Sequence, residues 1–212
     1  MNQSTTALYP VSRLDAMTDG IFAVAMTLLV LDVRLPEEFH PHDQKELLEA
    51  LAGLWPKFFP YALSFLVLGL RWLSSVRVKS RQELIGSDYV KWWLAYMLLV
   101  TCVPFSTAVV GRFASFPAAV WLYAANTALL GAVALHMMRL LPDVEDLSRL
   151  RERNISQVML ILSSLVAAGV SFFAAGKALW AFLLCFLVGP IADYLYQRNA
   201  ADRGEHGAAG QD

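Results

Sequence analysis

Apolar residues gather into six long runs, over about 15–35, 56–76, 89–111, 117–141, 155–174 and 178–197. Each run is close to the ~20 residues an α-helix needs to cross the hydrocarbon of a bilayer. Leu35-Pro36 closes the first run, and Trp55-Pro56 opens the second, which the basic stretch at Arg77 ends. Pro117 and Pro142 bound the fourth. The pattern predicts an all-α membrane protein, with six transmembrane helices within residues 1–199 and a short disordered tail over 200–212. Between the first two runs, Leu47, Leu48, Leu51 and Leu54 share one helical face, so Asp43 to Leu54 is expected to lie as an amphipathic helix at an interface.

Composition agrees. Of 212 residues 57% are hydrophobic, against about 45–50% in soluble domains, and the mean hydropathy is +0.49. A net charge of −1 offers no basic surface for nucleic acid. The first ten residues carry no basic region and no small-residue cleavage site follows the first run, so no cleavable signal is expected. Cys102 and Cys185 fall inside apolar runs and read as reduced packing residues. No nucleophile–base pair, phosphate loop or metal spacing occurs, so neither catalysis, nor a bound metal, nor a cofactor is expected. His40 and His42, among Glu37, Glu38 and Asp43, read as part of a solvated acidic loop.

Charge also orients the chain. Arg34, Lys45, Lys57, Arg112 and Lys177 fall on one side of the six runs; the rest of the 17 Lys and Arg fall on the other. The excess marks a cytoplasmic face that holds both termini, as an even number of spans requires.

The first run carries the chemistry. Arg13, Asp15, Thr18 and Asp19 stand at its mouth, where charge is costly and marks a functional site or a polar network. Arg13 and Asp19, six positions apart, fall on opposite sides of a helix, so their partners come from other spans or another subunit; Asp15 and Asp19 share a face. Capping is an equal reading for Asp15, and a membrane-surface anchor for Arg13. Farther in, Gly20, Val24, Thr27, Leu28 and Leu31 form one stripe. Copies of this helix around an axis would place apolar rings at Val24 and Leu31 with a hydroxyl ring at Thr27 between them, suited to a cation path. The competing reading packs the stripe on neighbouring helices and bonds Thr27 back to the carbonyl of Ala23.

Elsewhere, Trp55, Trp72, Trp92, Trp93, Trp121 and Trp180 suit an aromatic belt, and Arg71 is expected to extend to the interface. His136 reads as a histidine at a helix end, while Tyr61 and Tyr96 sit inside spans and need partners.

The string Arg13-Leu-Asp-Ala-Met17-Thr18-Asp19-Gly20 and the text that follows it resemble the first helix of the prokaryotic transmembrane protein 175 potassium channels. Trp72 and Pro104-Phe105-Ser106-Thr107-Ala108 add to the likeness, which covers the first three spans well and the rest mainly by hydropathy. The resemblance implies a homotetramer in the bacterial inner membrane whose first helices line a central potassium-permeable pore. By similarity Val24 stands at the narrow ring, Thr27 at the hydroxyl ring and Leu28 or Leu31 at a further apolar layer; Arg13, Thr18 and Asp19 belong to the polar network behind. The implied partners are other copies of the chain, membrane lipids and potassium ions. Several positions depart from the pattern. Met17 and Thr18 replace phenylalanine and serine, Ser74-Ser75-Val76 stands where relatives tend to carry a histidine pair, and Leu94-Ala95 follows Trp93 in place of an asparagine. Those departures motivate a second reading, a non-conducting scaffold or sensor with the channel fold. A small transporter is a third, though the internal repeat such proteins tend to show is missing.

Overall fold

The computed structural model describes residues 8–77, 83–140 and 147–187. Six α-helices form the described chain: α1 (Val11–Leu28), α2 (Gln44–Ala52), α3 (Trp55–Arg77), α4 (Ser87–Arg112), α5 (Pro117–Arg139) and α6 (Leu147–Ala174). A 3₁₀ turn, Leu29–Asp32, tightens the end of α1, and a 3₁₀ helix, Ala175–Leu187, follows α6. Among the described residues five stretches are long and apolar enough to span a membrane: Val11–Asp32, Trp55–Val76, Ser87–Arg112, Pro117–Arg139 and Asn154–Leu183. The chain is thus a multi-pass membrane protein. The last stretch contains the predicted fifth span and the start of the sixth; the remainder of the sixth, 188–197, and the tail over 200–212 lie outside the described residues.

The second, third and fourth spans were readable to within about two residues. The first was not: α1 starts at Val11, not near residue 15, and the helical run stops at Asp32, not Leu35. Both ends have a tertiary cause. A strand β1 (Leu8–Pro10) pairs antiparallel with β2 (Leu84–Gly86), register Leu8 to Gly86, Tyr9 to Ile85 and Pro10 to Leu84. The Val11 N–H, an orphan donor of the first helical turn, then donates to the Glu83 carbonyl at 2.9 Å. At the far end the Arg112 Nε donates to Asp32 Oδ1 at 2.8 Å, which holds the last turn against the end of α4. The expected amphipathic segment is α2, capped by Asp43 Oδ1, which accepts from the Glu46 N–H at 2.7 Å.

Two apolar clusters make the core. One gathers Phe22 and Ala25 of α1 and Leu29 of the 3₁₀ turn with Leu68 of α3, Trp93, Met97 and Val100 of α4 and Leu130 of α5. The other joins Leu63, Val110, Tyr123 and Leu160 with Ala178 and Phe182, so the final 3₁₀ helix folds back on the bundle. Hydroxyl pairs stitch the helices between these clusters. Thr107 donates to Ser64 Oγ at 2.8 Å, Ser64 shares a 3.0 Å bond with the Tyr123 hydroxyl, and Thr127 and Ser164 meet at 2.9 Å. In a membrane such bonds contribute about 0.6–2 kcal/mol each.

Gly131 lets α5 and α6 approach. A Cβ there would stand 2.8 Å from Ile161 Cγ1 and 3.3 Å from the Gln157 carbonyl oxygen. Gly131→Ala is expected to destabilise by about 1–3 kcal/mol through overpacking. Gly169→Ala, with nothing within 4 Å, is expected to leave stability unchanged or slightly raised. Thermal melting of the two purified variants beside the parent checks the contrast.

Candidate functional site

The rotation of α1 about its own axis decides what this helix can do. At ~100° per residue, Thr18, Phe22, Ala25 and Leu29 fall on one stripe, and all four are buried. Gly20, Val24, Thr27, Leu28 and Leu31 fall roughly opposite, and all five are exposed. Val24 is 57% and Leu31 63% exposed. Only 17% of the most apolar window of Val11–Asp32 is buried, against 28–56% for the other four candidate spans. The first helix is therefore the outermost of the five, and the stripe singled out in the sequence lies on its outer face.

Two tryptophans fix that rotation. The indole N–H of Trp93, buried on α4, donates to Thr18 Oγ1 at 2.9 Å. The Thr18 hydroxyl donates in turn to the Leu14 carbonyl at 2.8 Å, so its proton and a lone pair are both used. Trp72 of α3 donates its N–H to Asp19 Oδ1 at 2.8 Å. Neither tryptophan is merely a belt residue, which corrects the sequence expectation. An indole has a single donor, and whether it points to lipid headgroups or to a neighbouring helix is a tertiary property that composition does not carry. Of the residues expected in a polar network, Thr18 and Asp19 are brought to these partners. Arg13 is exposed and stands apart from them.

Thr27 bonds back to its own helix, to the Ala23 carbonyl at 3.0 Å and the Val24 carbonyl at 2.9 Å. The back-bond of the packing reading is present, yet the side chain is exposed. With its proton turned inward, the oxygen offers only lone pairs outward.

Arg71 also differs from expectation. It does not extend to the interface but is 6% exposed. Its Nη1 donates to Gln157 Oε1 on α6, and its Cζ lies 5.7 Å from the Tyr96 ring centroid. Burial behind α1 is the cause: the guanidinium finds an amide and an aromatic face nearer than water. That cation–π contact gives Tyr96 a partner, and Tyr61 lies between the rings of Phe58 and Phe65. His136, near the end of α5, packs against Trp92 with ring centroids 4.3 Å apart.

Residues 13–104 match the family model described as endosomal/lysosomal potassium channel TMEM175. A protein of Streptomyces collinus named a potassium channel is 34% identical over 101 residues, 48% of this chain and 48% of that protein. One of Chamaesiphon minutus, also named a potassium channel, is 33% identical over 110 residues, 50% of this chain and 52% of its own length. The chain thus spans about half the length of the curated relatives it matches. The solved structure of a homologue from Chamaesiphon minutus superposes with a TM-score of 0.66 at 23% identity, covering 85% of this chain and 97% of that one, which establishes a shared fold.

Thr18→Val removes the acceptor of a buried indole and is expected to cost about 1–3 kcal/mol. Trp72→Phe acts at an exposed pair and is expected to cost less than about 1 kcal/mol. Melting midpoints of the purified variants rank the two, and equal losses would deny Thr18 its special part in holding α1.

Proposed function

We propose, from the match of residues 13–104 to the TMEM175 family model, that this chain is a potassium-permeable channel of the bacterial plasma membrane. Four copies, each with the six spans that hydropathy leads one to expect, set their first helices around a shared axis. Both termini face the cytoplasm, as the distribution of Lys and Arg requires. The potassium-channel names of the bacterial relatives support the permeant ion.

The observation that carries this reading is the exposed stripe on α1. A helix whose inner face is locked by Thr18, Phe22, Ala25 and Leu29 has one rotation, and at that rotation Val24, Thr27 and Leu31 turn away from the protomer. One pore helix per chain cannot enclose a path, so conduction needs several copies. Around an axis Val24 and Leu31 form apolar rings that gate by dewetting, while the Thr27 oxygens replace part of the ion's water shell. Because the Thr27 proton is held by backbone carbonyls, the ring presents acceptors, which suit a cation. Leu28 flanks the stripe as a further apolar layer. Arg13, on the same outward side, finds its partner on a neighbouring subunit.

Potassium flux into liposomes holding the purified full chain tests this. Val24→Asn wets the narrow ring and is expected to raise flux several-fold, whereas Thr27→Ala is expected to lower the preference for potassium over sodium. Flux unchanged in both variants removes the stripe from the path. A scaffold or sensor would show no flux at all. Native mass spectrometry is expected to give four protomers, and a stable monomer or dimer in lipid would end the axial arrangement.

A further inference from the structure

A cavity of about 280 Å³ lies inside the protomer between α1 and the helices behind it, at the end of α1 that carries the N-terminus. It is lined by Asp15, Thr18 and Asp19 of α1, but none of Val24, Thr27 or Leu31 reaches it. Whatever it holds is separate from the proposed ion path. Arg71 and Gln157 form part of its wall.

Arg71 is the unusual member. Arginine stays charged in any protein environment, and a buried charge is costly unless it is paired and its donors are met. Among the described residues Arg71 has no ion pair. Nη1 is met by Gln157, but Nε and Nη2 are buried with no acceptor. These two nitrogens form one edge of the guanidinium, with N–H groups aligned side by side. That edge matches the paired oxygens of a carboxylate or phosphate. The same chain uses the same edge on Arg112, whose Nε and Nη2 both reach Asp32 Oδ1. On Arg71 the edge meets no acceptor among the described residues. Since Arg71 lines the cavity, a small turn of the guanidinium brings the edge onto a ligand there.

The cavity opens beside exposed Asp15, Asp19 and Val76. Two carboxylates at the mouth repel a bare anion and attract a cation. We propose that the cavity binds a phosphate or carboxylate on the Nε/Nη2 edge of Arg71, carried by a molecule that also bears an ammonium group held near Asp15 and Asp19. An ethanolamine phospholipid headgroup and a free amino-phosphate or amino acid share this chemistry. Pockets between membrane helices are known to take lipid headgroups, and the volume suits a small polar group.

Phosphoethanolamine is titrated into the full-length protein in lipid-free detergent, and the melting midpoint is followed. It is expected to rise saturably for the parent, and inorganic phosphate is expected to bind more weakly. Arg71→Lys keeps the charge and loses the paired edge, which should weaken binding about tenfold or more. Ala134→Leu fills the cavity without touching the guanidinium and should abolish the shift; its own midpoint without ligand reports folding. Native mass spectrometry of protein extracted from ethanolamine-lipid membranes separates the sources. One ethanolamine phospholipid retained per protomer, and lost in Ala134→Leu, identifies a headgroup site; phosphoethanolamine binding without retained lipid identifies a free ligand. Neither effect, or effects indifferent to both variants, overturns the proposal. Inorganic phosphate binding as tightly as phosphoethanolamine overturns its ammonium half.

Discussion

The structure depends on how α1 is held against rotation. Inside hydrocarbon, helix faces differ little in solvation, since lipid tails are as apolar as leucine, so burial alone fixes rotation weakly. A polar bond fixes it strongly, because a buried donor has no water to fall back on. The indole of Trp93 on Thr18 is such a bond, and the indole of Trp72 on Asp19 adds a second on the next residue. Phe22, Ala25 and Leu29 then follow on the same stripe into the first core cluster. Turned by even one residue, the helix would break the Trp93 bond and swing Phe22, Ala25 and Leu29 out of the core.

Behind α1 the rest of the bundle acts as a platform. Side-chain hydroxyls, not charges, join its helices: Thr107 with Ser64 and Tyr123, Thr127 with Ser164, and Trp121 donating to Ser171 at 2.9 Å. Small residues let the backbones approach closely enough for these bonds, as Gly131 does between α5 and α6. The charged pair Arg112–Asp32 stands at the margin of the bundle, where one partner is half exposed. Arg71 is the exception to this economy of charge, and its two unmet donors set it apart from the other buried polar side chains.

Hydropathy made the helices legible because spans must be near ~20 residues and apolar. The period of the first run likewise separated the stripe of Val24, Thr27 and Leu31 from its buried opposite. The string from Arg13 to Gly20 carried the resemblance to the transmembrane protein 175 channels, and the matched region, 13–104, begins at Arg13. What stayed hidden was set by partners distant in sequence. The first helix begins early because Leu8–Pro10 pairs with Leu84–Gly86, and it ends early because Asp32 meets Arg112. Trp72 and Trp93 read as belt residues because composition cannot tell which way an indole points. Arg71 read as an interfacial side chain because its one-dimensional setting, beside Trp72 near a span end, is that of a snorkelling arginine. Met17 and Thr18 depart from the string this segment resembles, and the Thr18 hydroxyl is the group that Trp93 meets.

The β1–β2 ribbon has a consequence for how the molecule tolerates change. It ties the segment ahead of the first helix to the connection between α3 and α4 through three residues on each side. Residues 8–10 are therefore not a dispensable leader. Trimming them, or grafting a bulky tag flush against Tyr9, removes the tether ahead of the rod and leaves its placement to the Trp93 and Trp72 bonds and to Asp32 at the far end. The N-terminal junction is thus a place where a change outside every apolar segment would reach the outward-facing residues.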